Sequence, residues 1–231
     1  MEGAASRELR ADLPAASCPL PPASWGLYLV TDRHQTGGRD LAEVVGQALT
    51  GGLCAVQLRE KDLTTCDLYG LGERLLKLTR PAGAALLIND RVDVAMALDA
   101  DGVHLTRRSL PPKAARELLG PGKLLGISCH SLADLHEAVD GGADFVVLGP
   151  IYPTPSKAAY GPPVTTALLE EGRSACSLPL LAIGGIKAAQ VPAVMAAGAD
   201  GIAAISAVMT ASDPAAATRE LISAVRAGQR T

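Results

Sequence analysis

Aromatic residues are almost missing from this 231-residue chain, which has one Trp, one Phe and four Tyr. Single-stranded nucleic acid is gripped by stacking bases on such rings, so that class of binding is excluded. A charge excess is missing too. The 21 Lys and Arg and 24 Asp and Glu leave a net charge of −3, which gives no general attraction for polyanions. No apolar run approaches the roughly 18 residues of a membrane helix. The five cysteines, at 18, 54, 66, 129 and 176, form no C-x-x-C pair, and four lie in or beside apolar stretches. That pattern reads as reduced thiols and predicts a cytoplasmic protein. The first 24 residues carry Glu2, Arg7, Glu8, Arg10 and Asp12 before a Pro-rich stretch, without the apolar segment of a signal peptide. A flexible tail over 1–24 is expected.

Hydrophobic residues at 48% against 19% charged describe a folded chain whose core is mainly Ala, Val, Leu and Ile. The length admits one large domain or two small ones. Short β-rich runs decide between them: Gly26–Thr31, Ala55–Arg59, Ala85–Asn89, Gly102–Leu105, Leu124–Ser128, Phe145–Leu148, Leu180–Ile183 and Gly201–Ile205. Helical patterns near 40–50, 64–79, 91–98, 112–119, 131–140, 165–172, 188–197 and 214–227 alternate with them, with start signals at Ser131 and Pro112. Strands that are apolar on both faces belong to a parallel sheet covered by helices. Eight βα units with nothing left over predict an α/β fold, a single (β/α)8 TIM barrel over 25–231.

A weak repeat marks the entries to strands two, four, six and eight: Gly51-Gly52-Leu53-Cys54, Asp99-Ala100-Asp101-Gly102, Gly142-Ala143-Asp144-Phe145 and Gly198-Ala199-Asp200-Gly201. Convergent turn chemistry and inherited duplication both produce such punctuation. Either way it marks the bottom of the barrel, so chemistry belongs at the opposite, C-terminal strand ends.

Polar residues stand at nearly every one of those ends. Gln57, Arg59 and Lys61 share one side of strand two by the two-residue period, and two cations with an amide donor suit a pyrophosphate. Strand three ends in Asn89-Asp90, where one residue caps a helix and the other faces the mouth. Ser128 and His130 close strand five, and a histidine there is positioned for proton transfer near neutral pH. His136, on the next helix, is expected to face solvent. A Pro-rich loop with Thr154, Ser156 and Lys157 reads as a lid or as a passive connection. Gly184-Gly185 after strand seven, with Ile205-Ser206 after strand eight, matches the usual phosphate position of such barrels.

From about Leu27 to Arg226 these residues resemble the thiamine phosphate synthase family and its close relative, the thiazole tautomerase. The markers are Gln57-Leu58-Arg59-Glu60-Lys61, Ile88-Asn89-Asp90, Asp101-Gly102-Val103-His104, Gly149-Pro150-Ile151-Tyr152-Pro153-Thr154, Ile183-Gly184-Gly185-Ile186 and Gly198-Ala199-Asp200-Gly201. The resemblance implies that hydroxymethylpyrimidine diphosphate is joined to thiazole phosphate through a carbocation, with loss of pyrophosphate. It assigns Arg59, Lys61, Asn89 and Lys157 to pyrophosphate, Gln57 and Ser128 to the pyrimidine, and Asp90 to Mg2+. Thr154, Ser156, Gly184, Gly185, Ile205 and Ser206 fall to the thiazole phosphate. Family synthases carry Gly-Gln and an acidic pair after the His-Leu of strand four, the second acid being a magnesium ligand. Here Thr106-Arg107-Arg108-Ser109 follows, so that carboxylate is lost and Arg107 or Arg108 could neutralise pyrophosphate instead. In a tautomerase, His130 would be the acid–base. A non-catalytic thiazole-phosphate binder is the third reading. Partners expected are small phosphorylated substrates and a second copy of the chain, with neither nucleic acid nor membrane.

Overall fold

The computed structural model describes residues 21–154 and 164–229. Each strand is followed by a helix. Strand β1 (Leu27–Val30) precedes α1 (Leu41–Thr50), β2 (Ala55–Leu58) precedes α2 (Thr65–Thr79), β3 (Ala85–Asn89) precedes α3 (Val92–Ala97), and β4 (Gly102–Leu105) precedes α4 (Pro112–Leu119). The second half continues with β5 (Leu124–Cys129) and α5 (Leu132–Asp140), β6 (Phe145–Leu148) and α6 (Thr165–Ala175), and β7 (Leu180–Ile183) and α7 (Val191–Ala196). Strand β8 (Gly201–Ala204) leads into α8 (Ser206–Met209) and α9 (Pro214–Gly228). The strands are parallel and pair in sequence order, and β8 pairs with β1 to close the barrel.

The two-residue period sorts the strand residues into two cores. Leu27, Leu29, Val56, Leu58, Leu86, Ile88, Val103 and Leu105 face the helices. Tyr28, Val30, Ala55, Leu87, Phe145, Val147, Leu181 and Ala203 fill the barrel interior with Trp25. The helix-facing layer is aliphatic, as the composition predicts. Three of the six rings meet inside: Trp25 lies 5.4 Å from Tyr28 and 5.1 Å from Phe145, centroid to centroid. Ala55, Ala85 and Ala203 contribute little volume to the interior, and the large planar rings take up that space.

The repeated punctuation is one physical device used four times. Gly52, Asp99, Gly142 and Gly198 all take positive φ, at 96°, 53°, 76° and 96°. Each sits just past the end of α1, α3, α5 or α7. The following amide of each (Leu53, Ala100, Ala143 and Ala199) donates back to Ala48, Ala95, Ala138 or Val194, which satisfies an end carbonyl in the Schellman manner. Asp101, Asp144 and Asp200 then accept the backbone N–H of Leu86, Leu125 and Leu180 at 2.8, 2.7 and 2.8 Å. Arg116 and Arg173 clamp the latter two carboxylates at 2.6 and 3.0 Å. Cys54 stands where the fourth aspartate would be, so that copy lacks the side-chain bond.

Strand bounds differ from expectation by one residue at β1, β2, β5 and β8. The short α8 has no counterpart in the sequence reading, because four residues are too few to display a helical period. Residues 22–24, assigned to the tail, form a 3-10 turn with Pro22 buried. Residues 1–20 lie outside the described part.

Candidate active site

The interior face that carries Tyr28 and Leu87 also carries the polar strand ends. Gln57 follows Ala55 by one period, and Asn89 follows Leu87. His104 pairs in register with Asn89 on one side and with Gly126 on the other, while Ser128 follows Gly126. Gln57, Asn89 and His104 are buried and Ser128 is half-buried. They form a connected floor: Gln57 Nε2 donates to the Tyr28 hydroxyl at 3.2 Å, that hydroxyl lies 3.5 Å from His104 Nδ1, and His104 Nε2 lies 2.9 Å from Ser128 Oγ. Burial pushes the His104 pKa down to about 3, with Arg59 acting in the same direction and Asp90 against it. The ring is therefore neutral at physiological pH.

Above this floor stands positive charge. The Lys61 ammonium is held below the usual lysine range, first by desolvation and then by the like charges of Arg59 and Arg108, with Asp90 opposing. Three cations and one carboxylate thus crowd the ends of β2, β3 and β4. Arg107 points elsewhere, 3.9 Å from Asp134, so of the two arginines considered Arg108 is the one beside Lys61. Arg33 is consumed by Asp62 at 2.5 Å and by the buried Glu60 at 3.2 Å. Glu60 also accepts from the Thr31 hydroxyl at 2.7 Å, and it serves to fix the β1 and β2 loops.

Asp90 adopts positive φ of 58°, which turns its carboxylate across β4. Its Oδ1 accepts from Thr106 N and Oγ1 at 3.0 and 2.9 Å and from the Ser109 hydroxyl in a shorter contact. Its Oδ2 accepts from Asn89 Nδ2 at 2.8 Å. The side-chain carbonyl oxygen of Asn89, Oδ1, is buried with no partner. Both members of the pair thus serve the mouth and neither is a plain helix cap.

Opposite, Gly184 and Gly185 adopt φ of 105° and 66°. A Cβ at Gly184 would lie 2.5 Å from Pro150, and one at Gly185 would lie 2.8 Å from Tyr152, so only glycine lets these loops meet. Strands β7 and β8 are in register at Ile183 and Ala203, which sets the Gly184-Gly185 turn beside Ile205 and the exposed Ser206. Thr154 is half-buried in the β6 loop. Ser156 and Lys157 lie outside the described residues. His130, half-buried, hydrogen-bonds through Nδ1 to the Gly149 carbonyl, and its backbone N–H donates to Asp134 at 2.8 Å. His136 is exposed, as expected.

The residues 27–208 match the family described as thiamine monophosphate synthase. The chain belongs to that family. A relative from Geobacter sulfurreducens is 52% identical over 203 residues, covering 88% of this chain and 95% of the relative. A relative from a Roseiflexus species, named thiamine-phosphate synthase, is 46% identical, covering 89% and 88%. A solved structure, a thiamine phosphate pyrophosphorylase from Pyrococcus furiosus, superposes with a TM-score of 0.82 at 37% identity, covering 90% and 98%. Against the thiamine monophosphate synthase pattern set out above, Ser109 stands where a second magnesium carboxylate is expected. Its hydroxyl donates to Asp90 instead of sharing a cation with it. Among the described residues no three His, Cys, Asp or Glu side chains cluster to hold a metal.

The sequence reading did not assign His104 or Tyr28. The signal for His104 was its odd place in an apolar strand, one register step from both Asn89 and Gly126. Tyr28, on β1, carries no local sign that it meets β4 across the barrel.

Proposed function

We propose that the chain is a thiamine phosphate synthase, an enzyme that acts on small phosphorylated molecules in the cytoplasm. The observation that carries this reading is the crowding of Arg59, Lys61 and Arg108 at the ends of β2 and β4, in addition to a separate glycine cradle at β7 and β8. Two anion sites on one mouth suit a diphosphate and a monophosphate bound together. An isomerase acting on one monophosphate has no use for the cation cluster.

In this reading the C–O bond between the pyrimidine methylene and the diphosphate breaks, and the bonding pair leaves with pyrophosphate. Arg59 and Lys61, with Arg108, Asn89 and Lys157, stabilise that departing anion where its charge grows. Gln57 and Ser128 hold the pyrimidine. Thr154, Ser156, Gly184, Gly185, Ile205 and Ser206 hold the thiazole phosphate, so that the ring nitrogen stands ready to supply the electron pair of the new C–N bond. Enclosing the carbocation on the buried floor keeps water from capturing it.

The oxygen set fits magnesium only as a guest of the substrate. Asp90 Oδ2, beside the unpartnered side-chain oxygen Oδ1 of Asn89, would hold the ion while phosphates and water complete it, as magnesium commonly accepts. When bound it would neutralise the charge that develops on pyrophosphate.

A second reading rests on His130. Gly149 O can only accept, so Nδ1 carries a proton, and Nε2 is the ring nitrogen left to exchange a proton as a thiazole tautomerase requires. The two readings separate cleanly in variants. If the synthase reading holds, Asp90→Ala and Lys61→Ala each abolish thiamine phosphate formation and His130→Ala retains it. Loss of activity in His130→Ala alone, measured as aromatisation of the carboxythiazole phosphate, favours the tautomerase.

A further inference from the structure

His104 is a buried titratable group below the mouth, 1% exposed, and the roles above leave it unused. Space has been made for it. Its ring lies 5.7 Å from both Tyr28 and Phe145, and a Cβ on its register neighbour Gly126 would come within 2.7 Å of Nδ1 and 2.3 Å of Phe145. An apolar side chain would fill this volume more simply, since a buried polar group is costly without partners. A neutral imidazole is kept here instead, with both nitrogens engaged.

The donors and acceptors in the chain of contacts fix a direction. Gln57 Nε2 can only donate, so the Tyr28 oxygen accepts from it at 3.2 Å. Burial raises the Tyr28 pKa, so its hydroxyl keeps its proton, and the acceptor facing that proton is His104 Nδ1 at 3.5 Å. A neutral His104 with an unprotonated Nδ1 carries its hydrogen on Nε2, which donates to Ser128 Oγ at 2.9 Å. Ser128, having accepted, is left with its own O–H to offer to the mouth. Gln57, with one of its two amide N–H groups engaged by Tyr28, keeps its carbonyl oxygen to accept.

We propose that His104, with Tyr28, is a positioning residue that sets Ser128 as a donor and Gln57 as an acceptor, the complement of a flat heterocycle bearing an amino group next to a ring nitrogen. This deepens the synthase reading and rests on it for the identity of the ring. An amino N–H meets the Gln57 oxygen, a ring nitrogen meets the Ser128 proton, and a ring with a carbonyl in place of the amino group faces acceptor against acceptor. Selectivity then comes from groups left unpaired by the wrong ring, which discriminates more sharply than shape.

Two measurements test this, and they fail separately. Ring 15N NMR of His104 in the full chain without substrate reads the tautomer directly. The expected result is Nε2–H with unprotonated Nδ1, unchanged between pH 5 and 8, and an Nδ1–H tautomer overturns the proposal whatever reaction the protein catalyses. The second compares His104→Gln, which keeps a donor and an acceptor, with His104→Leu, which has neither. Expected is a fall in kcat/KM for the pyrimidine diphosphate of about tenfold to a hundredfold in His104→Leu, the scale of one unpaired buried group, with KM for thiazole phosphate unchanged and partial rescue in His104→Gln. His104→Leu should also lose the preference for the amino ring over its oxo analogue. Equal loss in both variants, with that preference intact, shows a merely structural histidine and overturns the proposal.

Discussion

Replacing Ser109 by Asp tests the account of the metal. In the wild type the Ser109 hydroxyl donates to Asp90 Oδ1, which already accepts from Thr106. Ser109→Asp removes that donor and sets a second carboxylate against the first. Two unit charges about 4 Å apart repel by about 4 kcal/mol at an effective dielectric of about 20. Lys61, which already feels Asp90, and Arg108 beside it offset part of this, leaving roughly 2 kcal/mol of net destabilisation. At about 2–4 °C per kcal/mol for a chain of this size, Tm should fall by about 4–8 °C in chelator. Magnesium should restore it, because the paired carboxylates now form a site on the protein alone. Thermal melting of both proteins with magnesium and with chelator, in the absence of substrates, reads this out. The wild type should melt at the same temperature in both. A wild-type Tm that rises by several degrees with magnesium alone, or a variant indifferent to magnesium, would refute the reasoning.

Three further outcomes follow from the same geometry. Gly126→Ala drives a methyl into Phe145 and His104 at 2.3 and 2.7 Å and should cost about 1–3 kcal/mol in urea unfolding, the usual penalty for overpacking a core. Asp200→Ala deprives the Leu180 amide of its side-chain acceptor and Arg173 of its carboxylate at the far end of the barrel, so stability should fall by about 1–3 kcal/mol while KM for both substrates holds. Because desolvation and Arg59 depress the Lys61 pKa, its charge is full at low pH and is lost as pH rises, earlier than in an ordinary lysine. The kcat/KM for the pyrimidine diphosphate should therefore drop on the alkaline side, and Lys61→Arg should push that drop to higher pH.

The barrel was legible because its signals are local. Each strand is an apolar run closed by a turn, and Gly52, Asp99, Gly142 and Gly198 announce their left-handed caps by residue type alone. The cation pair Arg59 and Lys61 was legible for the same reason, a period of two along one strand. What escaped was set by closure of the sheet. That Tyr28 on β1 meets His104 on β4 depends on barrel width and on the missing side chain of Gly126, not on any spacing along the chain. The choice between Arg107 and Arg108 depended on where Asp134 of α5 lies, and sequence adjacency treated the two alike. The composition pointed to an aliphatic core and held for the buried helix-facing layer, while Trp25, Tyr28 and Phe145 sorted into the interior.

The central claim is tested most directly by turnover. Purified protein is supplied with hydroxymethylpyrimidine diphosphate, thiazole phosphate and magnesium, and thiamine phosphate and pyrophosphate are quantified together. The account predicts that both appear in equal amounts and that both vanish in Lys61→Ala. Absence of thiamine phosphate from the wild type, while thiazole phosphate still binds, would contradict it.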